Sequence, residues 1–299
     1  MELETKLSRR LLAKTGVRTD LLTLTTELVF DPRLSLLYQL SDASKIRLAT
    51  GLYHQFAEPF KYNSETGNPE LKPQKAWHYI LGFEHQKKLL HFRVETYYKD
   101  YDRLIIEGNT NELTNRGFGK VYGADIYLKY SEYLQTPFSG WISYSFLNSD
   151  RFQTRQQTNQ LSFETAPSDF DITHNLNVVG KMQVIGTLSL GAVYRFSTGR
   201  PFTPVVDSQL QQSAGYYQPI EGPVNSRRLP NFHRLDLDLS YFWQFDEEKS
   251  AVFYVSVSNI LNRKNITDVT YNEDYSQRSF AESNYSRSVY AGVSLNLGF

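Results

Sequence analysis

The chain has 299 residues, and Lys+Arg and Asp+Glu both number 32, so it carries no net charge and no electrostatic footprint for nucleic acid. It has no cysteine, which excludes a disulfide scaffold, thiolate catalysis and cysteine-type zinc sites. Mean hydropathy is -0.47, and no run approaches the roughly 18 to 20 apolar residues of a membrane helix.

Aromatic residues are the anomaly, with Tyr 21, Phe 19 and Trp 3. Tyrosine suits surfaces where one end is apolar and the other wet, and it also suits ordinary β-rich cores. The N-terminal stretch MELETKLSRRLLAKTG is not a secretory signal. It lacks both an apolar stretch of roughly 7 to 15 residues and a small-residue cleavage site.

From there, alternation with period 2 predicts about twelve strands. They fall at 7–18, 33–40, 45–55, 76–86, 89–104, 118–133, 138–148, 172–182, 187–197, 233–245, 251–259 and 287–299. Many exceed the usual 5 to 6 residues of a globular strand, and they match the roughly 9 to 11 needed to cross a bilayer at a tilt. Leu90, Phe92, Val94, Thr96 and Tyr98 oppose His91, Arg93, Glu95, Tyr97 and Lys99. Leu235, Leu237, Leu239, Tyr241, Trp243 and Phe245 oppose Arg234, Asp236, Asp238, Ser240 and Gln244. The polar sets fit the solvent face of a soluble sheet or the lumen of a barrel.

The connections separate these two. Short turns are predicted at 41–44, 87–88, 134–137, 183–186 and 246–250, and long loops at 19–32, 56–75, 105–117, 149–171, 198–232 and 260–286. Short and long alternate strictly. A transmembrane barrel has short turns at one end and long loops at the other, and a soluble sandwich has no reason for this. The chain ends in SVYAGVSLNLGF, in which Val289, Ala291, Val293, Leu295, Leu297 and Phe299 make one wholly apolar face. The expected fold is all-β: an antiparallel up-and-down transmembrane β-barrel in a single segment over 1–299. Two alternatives stand beside it, a complete twelve-stranded barrel acting as a pore or enzyme, and a soluble β-rich binding protein.

Particular stretches carry a family likeness. DPRLSLLYQLSDASKIRLATGLYHQF, NPELKPQKAWHYILGFEH, VETYYKDYDRLI, STGRPFTP, RRLPNFHRLDLDLSY and YVSVSNILNRKNI follow one another in order. With the last strand, they resemble the barrel of TonB-dependent outer-membrane receptors of the Bacteroidetes type, over about 31–299. The resemblance implies a bacterial outer-membrane location and a barrel of about 22 strands around a plug. It also implies active import of a scarce ligand such as a siderophore, cobalamin or a glycan. On that likeness the chain is expected to be the open C-terminal half of such a barrel, without plug, TonB box or signal peptide. Its partners would be outer-membrane lipid and the barrel-assembly machinery, with the TonB complex reached only through a plug. The terminal phenylalanine resembles the recognition signal for that machinery, with Tyr290, Val293, Leu295 and Leu297 preceding Phe299.

Candidate ligand-facing residues are Arg200, Arg227 and Arg228, which could capture an anion, and Tyr216 and Tyr217, which could add aromatic contacts. Ion pairing at the barrel rim is the simpler reading of the arginines. Asp236 and Asp238 read as a lumen charge ladder rather than an acid–base pair. The histidines at 54, 78, 85, 91, 174 and 233 have no metal-ligand spacing, and no cofactor motif or nucleophile elbow is present. No histidine is followed two residues later by serine, as the active site of an outer-membrane phospholipase would require. No enzymatic activity is expected. Trp77, Tyr98, Trp141, Tyr241, Trp243 and Tyr290 could form aromatic girdles, or reflect β-propensity alone.

Overall fold

The computed structural model describes residues 1–107, 112–130, 137–157 and 160–298. The strands are β1 (Glu2–Lys6), β2 (Leu11–Leu22), β3 (Glu27–Ser41), β4 (Ser44–Gln55), β5 (Gln74–Lys87), β6 (Leu90–Glu107) and β7 (Leu113–Tyr130). They continue as β8 (Phe138–Gln157), β9 (Gln160–Pro167), β10 (His174–Ile185), β11 (Leu188–Ser197), β12 (Pro201–Phe202), β13 (Val205–Gln211) and β14 (Tyr216–Glu221). The last are β15 (Arg227–Arg228), β16 (Phe232–Gln244), β17 (Ser250–Ser258), β18 (Ile266–Tyr271), β19 (Arg278–Glu282) and β20 (Ser288–Asn296). One 3-10 turn, Pro59–Tyr62, interrupts the β4–β5 connection.

One sheet of 14 strands runs β1-β2-β3-β4-β5-β6-β7-β8-β10-β11-β16-β17-β20, with β9 folded back on β8. Its pairings are antiparallel throughout and follow chain order, with only β9 and the ribbon strands falling between sheet neighbours, which is an up-and-down meander. The twelve strands expected from alternation are all present, and β1 precedes them. Among the described residues strand β1 pairs only with β2, and β20 only with β17. The sheet is therefore open, and the complete twelve-stranded barrel is excluded by its own criterion, closure between first and last strands. Among the described residues the other sheets are three two-stranded ribbons, β12-β15, β13-β14 and β18-β19, and none covers the main sheet. The soluble alternative required such a cover.

Register makes the two faces continuous. One row joins Ile46, Phe83, Val94, Ile126, Tyr144, Leu176 and Phe196 across seven strands. The next position along, on the opposite face, joins Arg47, Gly82, Glu95, Asp125, Ser145 and Asn175. Among the described residues nothing packs over the apolar side chains, and Leu81 is 52% exposed. Such a face is unstable in water but well solvated by lipid, and closed backbone ladders are the sheet form that lipid tolerates. From Leu90 to Tyr98 the apolar band runs roughly 26 Å along β6, at about 3.3 Å per residue. The strand then continues past the band to Glu107.

Three predicted loops are strands instead. Residues 19–22 and 27–32 extend β2 and β3, leaving a turn of 23–26. Residues 105–107 and 113–117 extend β6 and β7, while 149–157 extends β8 and 160–167 forms β9. These extensions stand beyond the apolar band, so neither face need be apolar and period 2 disappears. Pro32, the last residue of the expected loop 19–32, sits inside β3 opposite Val17. Residues 108–111, the end of the expected strand at 131–133 and the expected turn at 134–136 lie outside the described residues, as does Phe299.

The girdle residues split between the faces. Trp77, Tyr98, Tyr241 and Trp243 share register parity with the apolar face, and Trp77 stacks on Tyr79 with centroids 6.4 Å apart. Trp141 pairs with Val179 and Lys129, and Tyr290 with Ser256, on the polar face. Those two leave the girdle set, because strand parity places them toward the lumen.

Candidate functional site

All the long connections leave one edge of the sheet, so that edge carries a loop surface. Its base is a small apolar core of Ala57, Tyr62 and Leu71 against Leu22, Ile105 and Leu113. This core fixes the β4–β5 connection onto the tops of β2, β6 and β7. Asn115 staples it further, donating to the Lys72 and Arg103 carbonyls at 3.0 and 2.8 Å while accepting the Lys72 N–H at 2.7 Å.

The β11–β16 connection is latched at its root. Arg228 Nη2 meets Asp171 Oδ1 at 2.7 Å, and Nη1 donates to the Asp171 and Gly199 carbonyls at 2.7 and 3.2 Å. The Asp171 side chain is 1% exposed. Its other oxygen accepts the Ser149 N–H at 2.7 Å, and Thr173 Oγ1 adds a bond at 3.0 Å. A carboxylate this buried requires such full pairing. Ribbon β12-β15 lies beside it, pairing Pro201 with Arg228 and Phe202 with Arg227. Gly199 is packed so closely on Leu229 that a Cβ would overlap the Leu229 carbonyl, which explains the glycine of STGRPFTP.

The β17–β20 connection has its own knot. Asn259 is 1% exposed, with φ at 49°. It donates to the Arg263 and Tyr285 carbonyls at 3.1 and 2.8 Å and accepts the Arg263 N–H at 3.1 Å. Asparagine tolerates this left-handed backbone better than most residues.

Above these roots, ribbons β13-β14 and β18-β19 are tied together. The Tyr271 hydroxyl accepts the Val205 N–H at 3.1 Å, and Ser208 Oγ donates to the Asp274 carbonyl at 2.7 Å. Arg200 Nη2 pairs with Asp268 at 3.1 Å and donates to the Thr267 carbonyl at 3.2 Å. A cleft of 770 Å³ opens between the two tips, lined by Gly215, Tyr216, Tyr217, Asn272, Glu273 and Asp274. Ser276 and Asn272 bond to the Asp274 side chain and hold its carboxyl below the usual range, most strongly through the Ser276 hydroxyl. At the flank, the ammonium of Lys264 is held above its usual value by its bond to Glu282 at 2.9 Å.

The structure thus distributes the candidate residues. Tyr216 and Tyr217 line the cleft, 56% and 39% exposed. Arg200 is engaged with β18 and Arg228 with Asp171, while Arg227 is exposed and has no side-chain partner among the described residues. Asp171, Asn259, Asn225 and Asp274 had no sequence signal. Their partners lie in other connections, as when Asn225 donates to the Pro167 carbonyl and to Asp169 Oδ1 at 2.8 and 2.7 Å. On the last strand, Val293 and Leu295 lie on the apolar face, and Leu297 follows β20. Tyr290 lies on the opposite face, its hydroxyl 3.4 Å from that of Tyr254.

Known proteins share this architecture. The outer membrane transporter YddB from Escherichia coli aligns at a TM-score of 0.69 with 15% identity, over 95% of this chain and 43% of that one. The ferric-catecholate import receptor Fiu from E. coli K12 aligns at 0.68 with 13% identity, over 99% and 43%. The siderophore receptor PiuA from Acinetobacter baumannii aligns at 0.73 with 11% identity, over 99% and 42%. The chain therefore spans less than half the length of these structures, and at such identities the likeness shows the fold. Among curated proteins none matches. The profile of the TonB dependent receptor-like β-barrel matches residues 2–260. An open antiparallel sheet with one lipid-facing side, loops gathered at one edge and that match together establish that the chain belongs to the TonB-dependent receptor β-barrel family, proteins of the bacterial outer membrane.

Proposed function

We propose that the chain forms the C-terminal, ligand-facing part of the barrel of a receptor that actively imports a scarce, iron-chelate-class ligand, with its short turns in the periplasm and its long loops outside. The observation that supports this most is the gathering of paired, rooted loop ribbons at one edge of a lipid-facing sheet. Such loops are where receptors place variable binding surface. Two structural neighbours, a ferric-catecholate import receptor and a siderophore receptor, favour an iron chelate over cobalamin or a glycan.

In this reading Tyr216, Tyr217 and the free Arg227 face the ligand, whereas Arg200 and Arg228 hold the loops that present them. The TonB complex is engaged through a plug carried elsewhere in the receptor. The role of the chain is transport, not catalysis. The barrel-assembly machinery reads the last strand through Val293, Leu295, Leu297 and Phe299, with Tyr290 on the lumen side.

The test is uptake of radiolabelled ferric chelates by receptor-deficient, iron-starved cells that express the receptor containing this chain. One chelate should accumulate, and Tyr216→Ala with Tyr217→Ala should raise its half-saturation concentration. Accumulation of none in a properly inserted receptor overturns the iron-chelate reading.

A further inference from the structure

We propose that the cleft between the tips of β13-β14 and β18-β19 binds a positively charged group, an ammonium carried by the imported ligand. This rests on the receptor reading above and narrows it to chelates that bear a cation.

The cleft, of 770 Å³, has the size of a small-molecule site, and its walls come from two separate connections. One wall carries the adjacent Tyr216 and Tyr217, presented just after Gly215 turns the chain at a φ of 70°. The other carries Asn272, Glu273 and Asp274. The Asp274 carbonyl accepts Ser208 Oγ at 2.7 Å, which ties this wall to the first ribbon and sets the cleft without a ligand. Asp274 Oδ1 accepts the Ser276 N–H and hydroxyl at 2.9 and 2.6 Å, and these bonds keep the carboxyl ionised at neutral pH. Glu273 is exposed and has no partner among the described residues. Tyr275 completes the turn at a φ of 61°, an uncommon conformation for so large a side chain.

Charge is distributed to the same effect. The whole chain is neutral, yet 205–221 and 266–282 hold the carboxylates Asp207, Glu221, Asp268, Glu273, Asp274 and Glu282 against a single cation, Arg278. That cation lies over the Phe280 ring at 5.3 Å. Two of the carboxylates are neutralised from the roots, Asp268 by Arg200 at 3.1 Å and Glu282 by Lys264 at 2.9 Å. Among the described residues Asp207, Glu273 and Asp274 have no cationic partner, and no lysine or arginine lines the cleft. Arg227 belongs to β15 instead. A chelate of net negative charge is repelled by such a field, and one bearing a cation is drawn in. Aromatic faces beside unpaired carboxylates suit an ammonium in particular, since the rings attract the cation and cover its alkyl groups.

The test uses the complete receptor that contains this chain, in detergent micelles, and two ferric tris-hydroxamates that differ at one amine. Ferrioxamine B carries a free ammonium, and its N-acetyl derivative does not. The ammonium form should bind at least about tenfold more tightly at low salt, with a smaller gap at high salt. Glu273→Gln with Asp274→Asn should erase the gap by weakening the ammonium form alone, while Glu273→Asp retains most of it. Asp246→Asn, in a short turn at the opposite edge, should leave it intact. Circular dichroism of each variant checks that the sheet persists. Equal binding of the two chelates, or a gap that survives the double variant, overturns the proposal and leaves the iron-chelate reading standing. If neither chelate binds, saturation-transfer NMR with benzyltrimethylammonium decides. A signal lost in the double variant supports the cation site independently of the iron-chelate reading, and no signal overturns it.

Discussion

Replacing Arg228 by alanine isolates what the root latch contributes. The substitution removes the ion pair with Asp171 at 2.7 Å and two carbonyl bonds, and it leaves a carboxylate that is 1% exposed. Stripping the cation from a buried pair costs about 3 to 5 kcal/mol. Arg228 is 37% exposed, so solvent screens part of that, and Asp171 keeps its bonds from Ser149 and Thr173. About 2 to 3 kcal/mol remains. The loss is local, since the latch ties two connections to the upper part of β8 at Ser149, beyond the apolar band. Amide hydrogen exchange of the micellar protein should therefore accelerate about 30- to 150-fold at the Ser149, Asn225 and Leu229 amides. Amides of β5 and β6 should not change. Arg227→Ala, beside it in the chain, should alter exchange by less than about twofold. Acceleration below about threefold at Ser149 in Arg228→Ala would refute the latch, and comparable effects from the two arginines would show that the pair is not what holds the root.

Gly199→Ala should loosen the same root by about 1 to 3 kcal/mol, seen in the same exchange experiment, because its Cβ has no room beside Leu229. Asn259→Ala should cost about 3 kcal/mol at the β17–β20 connection, at about 1 kcal/mol per lost hydrogen bond, with faster exchange at Arg263. Leu81→Arg on the apolar face should destabilise the chain in vesicles by about 2 to 4 kcal/mol in urea titrations, whereas Ser145→Arg on the polar face stays within about 1 kcal/mol. Equal effects would reverse the assignment of faces. Asp274's lowered pKa stabilises its turn above the unfolded-state value, and that contribution is lost as pH falls through the lower folded value. Exchange at Ser276 and Gln277 should thus stay slow until pH drops below about 4, the ordinary aspartate value.

The transmembrane strands were legible because lipid imposes a rule on every second residue. Leu90 to Tyr98 or Leu235 to Phe245 can be read without any partner. The rule lapses where the chain leaves the apolar band, so the upper parts of β6, β7 and β8 read as loop. Strand β1 is too short and too polar on one side to declare itself, as Glu2, Glu4 and Lys6 show. Among the site residues, Tyr216 and Tyr217 were visible by composition, and the arginines by motif. Which arginine would be free was not legible, because Asp171 and Asp268 reach Arg228 and Arg200 from elsewhere in the chain. Asn259 looked like any loop asparagine until its backbone conformation and three bonds were placed.

The two rooted connections have an evolutionary consequence. Each passes through a narrow neck fixed by one buried side chain, Asp171 for the first and Asn259 for the second. The ribbons beyond these necks hydrogen-bond in sheets of their own, outside the main ladder, with β14 packed against β8. Such segments are exchangeable cassettes: recombination or insertion within 205–221 or 266–282 can redesign what the wall displays without disturbing the wall itself. Because β13-β14 and β18-β19 touch through Val205–Tyr271 and Ser208–Asp274, the two cassettes are expected to change in concert rather than one at a time.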